Sequence, residues 1–259
     1  TPEGRPGWAQ RFVEDGYAVL VIDRPGHGRS PFHVKTIGDM GPAFSYEGGQ
    51  QIYFPGTDER HTQWPFAADD VAAMDEFIAG YGPLPADLAL SQTMDAERMA
   101  ALLDLIGPAI LVTHSASGPD GWLTADRRPE QVKMIVAVEP MRPPFAEIPN
   151  IGAMSWGPAA APLKFEPAIE HPEELRSREP GSYRLPSLKE KPVLIVTAEA
   201  SAFAVASPPT AAFLNAAGAS AELLHLSDHG VYGNGHGLIY EKNSDEALMP
   251  VLKWLNDNM

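Results

Sequence analysis

Residues 109–118 read Ala-Ile-Leu-Val-Thr-His-Ser-Ala-Ser-Gly, a short apolar run that stops at a serine among small residues. A run of this length bounded by turn residues predicts a buried strand, and Trp122 and Leu123 continue it as a helix. Where a strand turns sharply into a helix the two nearly touch, so small residues are needed two positions either side of the apex. Thr113 and Ser117 hold those positions and Gly118 follows, a variant spelling of Gly-x-Ser-x-Gly. Residues 132–138 supply the next strand at the short spacing of a strand–helix–strand unit. Ser115 is thus the candidate nucleophile. The competing reading is a serine in an ordinary structural turn.

Beyond this stretch, continuous apolar runs recur at residues 17–23, 133–138, 192–197 and 221–226. Strands apolar throughout are buried on both faces, which points to a parallel sheet covered by helices. Helical segments are predicted at 7–15, 94–106, 210–217 and 245–258, so strand and helix alternate as in a doubly wound α/β sheet. One domain over residues 1–259 is expected. Two stretches, 31–93 and 140–190, break the alternation; they carry many of the 26 prolines, several aromatics and no clear period. Long connections of this kind are expected to be functional insertions, here a cap over the top edge of the sheet. Phe44, Tyr46, Tyr53, Phe54, Trp64, Phe66, Met154 and Trp156 within them suggest an apolar pocket.

The 259 residues carry a net charge of −15, which opposes binding to nucleic acid or an anionic membrane by long-range repulsion. The chain has no cysteine, which removes disulfides, thiolate metal sites and a cysteine nucleophile. It does not choose a compartment: cytoplasmic, periplasmic and secreted locations all remain compatible. No apolar run approaches the length of a membrane span, and no signal peptide is visible at the N-terminus.

A serine hydroxyl needs a base within hydrogen-bond reach. The run after the last predicted strand offers His229 and His236. His236 is favoured because glycines on both sides allow a tight loop that can aim its ring over the sheet, whereas His229 follows the strand too closely. His114 and His27 are read as structural. For the acid, the turn after residues 192–197 places Ser201 where an aspartate would be expected. Glu139, by contrast, directly follows the apolar run Val136-Ala137-Val138 and precedes Pro140, a costly place for a carboxylate without a partner. Its role would be to accept the imidazole N–H and stabilise the imidazolium. Glu199 is the runner-up.

Four segments then combine: Asp-Arg-Pro-Gly-His-Gly-Arg-Ser at 23–30, Val-Thr-His-Ser-Ala-Ser-Gly at 112–118, Val-Glu-Pro at 138–140 and Gly-Asn-Gly-His-Gly-Leu-Ile-Tyr-Glu-Lys-Asn at 233–243. Together they resemble the bacterial esterase branch of the α/β-hydrolase superfamily typified by esterase 713. The resemblance implies an α/β-hydrolase fold and a serine esterase with the order Ser115, Glu139, His236, the glutamate following the strand after the elbow. It also implies earlier strands, and a loop donating one of two oxyanion-hole N–H groups, that this sequence does not contain. An exposed sheet edge is the expected consequence. The Ala116 N–H can supply one donor; the second is unassigned, since Gly48-Gly49 has no strand before it.

The expected function is hydrolysis of a small apolar carboxylic ester through an acyl-enzyme, without cofactor or metal. The same three residues would serve a lactone or C–C hydrolase. From a different class comes a non-catalytic or weakly active binding protein on the same fold. A metal site built on His225, Asp228, His229 and His236 is disfavoured, because no matching ligand cluster appears elsewhere. Self-association into a homo-oligomer is compatible with the sequence.

Overall fold

A computed structural model describes every residue except Pro31 and Asn150, each inside one of the two expected insertions. The strands are β1 (Ala109–His114), β2 (Val132–Val138), a two-residue hairpin β3 (Glu147–Ile148) and β4 (Gly152–Ala153), β5 (Pro192–Thr197) and β6 (Ser220–His225). Strands β1-β2-β5-β6 lie side by side in that order, all parallel. This is the α/β-hydrolase architecture the sequence predicts.

Both faces of the sheet are covered, as its apolar strands require. Val132, Ile135 and Ala137 of β2 and Val193 and Ile195 of β5 pack on one side. They meet Leu103 of α5 (Leu88–Ile106), Trp122 and Leu123 of α6 (Asp120–Arg127) and Phe213 and Leu214 of α8 (Ser207–Ala216). The alternate residues Met134, Val136, Val138, Leu194 and Val196 face α1 (Trp8–Glu14) and α9 (Ser244–Asn258) through Trp8, Phe12, Leu248 and Val251. Each such buried Val, Ile or Leu contributes about 1.5–3 kcal/mol, against which chain entropy works. Helix α5 begins where the Asp87 side chain accepts the Leu90 N–H and ends at Gly107, whose φ of 85° no helix residue adopts.

Parallel strands deliver their carboxyl ends to one edge. His114 lies opposite Val138, and Val138 opposite Val196. The residues that follow, Ser115, Glu139 and the turn 198–201, therefore meet at that edge.

Two expectations need correction. Residues 17–23 carry no regular element and form no ladder with any described strand. They lie across a cleft of about 1080 Å³ from β1, lined by Tyr17, Leu20 and Ile22 on one side and Ile110 and Val112 on the other. Without a neighbour at hydrogen-bonding distance an apolar run is not a strand, and Leu20 and Val21 are left 56% and 67% exposed. Nor is the stretch 31–93 aperiodic. It holds α2 (Val34–Ile37), α3 (Tyr46–Ile52), α4 (Val71–Ala79) and the start of α5. The elements are too short for a 3.6-residue period to register in sequence. They pack around Tyr53, Phe54, Trp64 and Met74, with Phe77, Tyr81 and Tyr240 against them. Gly48-Gly49 sits within α3, where a Cβ on Gly49 would collide with Ile78 of α4. The later stretch contains β3, β4 and α7 (Pro172–Ser177).

Asp120, at the start of α6, is fully buried, and neither of its oxygens has a partner among the described residues. Burial raises its pKa well above the usual carboxylate value, and the nearby charge of Asp95 adds to this. A carboxyl that holds its proton more tightly when folded costs the fold stability as pH rises above the unfolded pKa of about 3.9. Asp120→Asn is therefore expected to raise Tm at pH 8 and to lose that gain toward pH 4. Thermal melts across this range check it; an equal gain at both ends would show that the charge is not the cause.

Candidate active site

Ser115 follows β1 with φ of +55°, in the left-handed region that non-glycine residues avoid. The turn that forces it there is closed by neighbours. Ser117 Oγ donates to the His114 carbonyl at 2.9 Å and accepts the His114 N–H at 3.1 Å, so a hydroxyl stands where the commoner motif has glycine. Gly118 is obligatory for a different reason: a Cβ there would sit 2.6 Å from Pro140 Cα and 3.0 Å from the Ser115 carbonyl oxygen.

The structure brings Ser115, His236 and Glu139 into one chain. Ser115 Oγ and His236 Nε2 are 2.7 Å apart, and His236 Nδ1 lies 2.7 Å from Glu139 Oε2. A carboxylate only accepts, so Nδ1 carries the ring proton and Nε2 accepts the serine O–H. Ser115 is half-buried, while His236 and Glu139 are fully buried. The imidazole is stacked by Phe203 at 4.0 Å and by His114 at 4.7 Å between centroids. His114 Nε2 also donates to the His236 carbonyl at 3.0 Å, which fixes the backbone beneath the ring.

Glu139 leaves β2 with φ of +46°. Its carboxylate collects four donors: Thr197 Oγ1 at 3.2 Å, Ala198 N–H at 2.8 Å, Ser201 Oγ and His236 Nδ1. Burial is the dominant influence and raises Glu139 to about 7, opposed first by the Ser201 hydroxyl and then by the Ala198 N–H. Burial likewise lowers His236, with the charge of Arg142 adding to it. Groups this close titrate as a pair, so the next proton taken up belongs to both.

The three glycines around His236 have distinct causes. Gly233 has φ of +81°, and a Cβ on it would collide with Thr62 Oγ1. A Cβ on Gly235 would lie 2.7 Å from the His61 ring, and one on Gly237 2.5 Å from the Tyr240 ring. Close packing excludes a side chain at all three, and at Gly233 the positive φ calls for glycine as well.

The remaining candidates fall elsewhere. Glu199 accepts the Gly233 N–H at 2.8 Å and does not touch His236. His229 is exposed in the turn after β6, and His27 bonds the Pro25 carbonyl in its own turn. Both nitrogens of His236 are engaged, which leaves none for a metal; among the described residues no group of three or more His, Cys, Asp or Glu is placed to bind one. The Ala116 N–H donates to no acceptor among the described residues. Sequence reading missed Ser201 as a partner of Glu139 and Phe203 as the ring under His236, and it named Tyr53 only as one of several aromatics suggesting an apolar pocket. The Tyr53 ring lies 5.3 Å from that of His236, and burial raises its phenol well above the ordinary value, with the neighbouring Tyr81 adding to it. A serine at the place expected for an acid was the available signal for Ser201.

No family profile matches the chain. It is 36% identical over 282 aligned positions to the "Probable secreted lipase phiG" of Fungal sp. (strain ATCC 74256), a match spanning 98% of this chain and 76% of that protein. Among solved structures it is similar to a novel bacterial esterase determined at atomic resolution. The TM-score is 0.69 and the identity 25%, across 100% of this chain and 76% of the other. No helix of the described residues is long and apolar enough to cross a membrane.

Ser201→Ala removes a hydrogen bond to the charged form of Glu139, an interaction worth about 1.5–3 kcal/mol. The apparent pKa of the Glu139–His236 pair is expected to rise by about one unit or more. NMR titration of the His236 ring resonances reads this directly; an unmoved titration would mean that the hydroxyl does not hold the charge.

Proposed function

The chain belongs to the α/β-hydrolase esterases and lipases, and on that premise we propose that it hydrolyses carboxylic esters through an acyl-enzyme on Ser115. The observation that carries the proposal is the unbroken Ser115–His236–Glu139 chain, with both links at 2.7 Å, set on a turn that forces Ser115 to a φ of +55°. In this reading Ser115 Oγ attacks the ester carbonyl carbon while its proton passes to His236 Nε2. The carbonyl oxygen becomes an oxyanion facing the Ala116 N–H. His236 then gives the proton to the departing alcohol, leaving an ester on Ser115. Water, deprotonated by the same Nε2, attacks that ester, and the acid departs as Ser115 regains its proton. Glu139 holds the Nδ1–H throughout and stabilises the imidazolium; it does not itself take the proton.

Aromatic rings from two parts of the chain, Tyr53 and Phe203, flank His236. They support an apolar small-molecule ester as substrate, with the stretches 31–93 and 140–190 acting as a cap. Binding without turnover is the alternative from another class, and the strained serine with its aligned base favours catalysis over it.

Ser115→Ala is expected to lower kcat by at least ~10³-fold on a p-nitrophenyl ester without lowering Tm. A fluorophosphonate should add one adduct to the parent by intact mass and none to the variant. A folded Ser115→Ala protein of near-parental activity would overturn the assignment.

The working form has one proton on the pair, at Nδ1, and a second proton removes the base. Activity is therefore lost as pH falls, and kcat/KM is expected to drop through the pair's titration near about 7, where burial places Glu139. It should be level above that point. A flat profile between pH 5 and 8 would exclude His236 as the base.

A further inference from the structure

His61 and Glu241 form a second buried histidine–glutamate pair, which the chemistry at Ser115 leaves unused. His61 Nε2 donates to Glu241 Oε1 at 2.7 Å, and the two side chains are 4% and 0% exposed. The other donors to Glu241 come from the loop that carries His236. The Gly235 N–H reaches both carboxylate oxygens at 3.1 Å, and Asn234 Nδ2 reaches Oε2 at 2.9 Å. The chain beside His61 is tied to the same segment on either side of His236, at Gly233 and at Lys242. Thr62 and Gln63 N–H donate to the Gly233 carbonyl at 2.9 and 3.1 Å, and the Lys242 N–H donates to the Gln63 carbonyl at 2.9 Å. Gly233 and Gly235 lack side chains because Thr62 and His61 occupy the space.

We propose that residues 61–63, acting through Glu241, are a positioning strap that holds the 233–237 loop so that the His236 ring meets Ser115 and Glu139 at once. The inference rests on the reading of His236 as the base. A run with three glycines in five residues has far more backbone freedom than an ordinary loop, yet the imidazole must keep two hydrogen bonds in opposite directions. A displacement of ~1 Å at such a ring can cost about 10²-fold in rate. Glu241 removes that freedom: a fully buried carboxylate must keep its donors, and here they are Gly235 and Asn234 of the loop and His61 of the strap. His61 is thus a positioning residue, contributed by the same stretch that holds the Tyr53–Trp64 aromatic cluster, and the packing of that cluster is tied to the placement of His236.

The test compares His61→Ala, His61→Gln and Glu241→Ala in the full chain. It follows kcat and KM on p-nitrophenyl butyrate, Tm, and hydrogen exchange of residues 233–237. The alanine variants are expected to lose about 10–100-fold in kcat, with KM changed by less than about threefold and faster exchange across 233–237. His61→Gln, which keeps a donor for Glu241, should recover most of the loss. Folded alanine variants with parental kcat and parental exchange would overturn the strap, as would equal losses in His61→Gln and His61→Ala. If Glu241→Ala does not fold, Gly235→Ala decides, because its methyl would press on the His61 ring. Loss of kcat there supports the strap, and parental kcat overturns it. Exchange is read without turnover, so a failed strap is distinguished from a failed Ser115 assignment, which instead shows as a parent protein that takes no fluorophosphonate.

Discussion

The structure turns on one buried carboxylate. Glu139 has no exposure to solvent, and an isolated carboxylate there would cost several kcal/mol. Its stability depends on donors arriving from two distant parts of the chain: the end of β5 with the turn after it, residues 197–201, and the loop around His236. None of these donors is within 50 residues of Glu139 in sequence, the nearest separation being 58. The register of the parallel sheet and the packing of the histidine loop must therefore be right before the charge is satisfied. The proposed functional arrangement and a folding constraint coincide in the same group, and the ring of His236 is enclosed instead of free to swing.

Much of this was legible in the sequence because it rests on local signals. A buried parallel strand shows as a continuous apolar run, and residues 109–113, 133–138, 192–197 and 221–226 lie within a residue or two of the observed strands. Ser115 and Glu139 stand immediately after two of those runs, and parallel strands end at a common edge. What was not legible depends on contacts between distant segments. Residues 17–23 have the composition of a strand, but a strand is made by its neighbour, and the described residues offer none within reach. Ser201 was noticed as a missing acid; that its hydroxyl would turn to Glu139 depends on the distance between β2 and β5. The glycines beside His236 read as the means of a tight loop that aims the ring. Gly235 and Gly237 are sites where His61 and Tyr240 press against the backbone, and no pattern around residue 236 announces a ring from residue 61.

Two of the four non-glycine residues with positive φ among the described residues stand at the same edge. Ser115 and Glu139 both hold positive φ values, a conformation that costs about 1–3 kcal/mol for a residue with a side chain. Two adjacent strands spend this energy at neighbouring positions, and the surrounding contacts that enforce it are specific: the Ser117 hydroxyl closing the first turn, and the Glu139 N–H donating to the Val196 carbonyl at 2.9 Å in the second. Pro140 pressed against Gly118 couples the two turns. A relaxed backbone at either site would move Ser115 or the carboxylate away from the imidazole, so the strain and the alignment are one property.

The placement of the proposed acid follows from sheet geometry. Neighbouring strands run about 4.8 Å apart, and the imidazole lies where the ends of β1, β2 and β5 converge. A carboxyl group could reach Nδ1 from the end of β5 with a short side chain or from the end of β2 with a longer one. This chain has taken the second course: glutamate after β2, and a serine after β5 that donates to it. The exchange has an energetic consequence. An acid on β5 would need its donors from elsewhere, whereas the acid on β2 receives the Ala198 N–H and the Thr197 and Ser201 hydroxyls from the β5 turn beside it. The turn after β5 has thereby become the solvation shell of the carboxylate, and the site needs both strand ends although only one of them carries the charge.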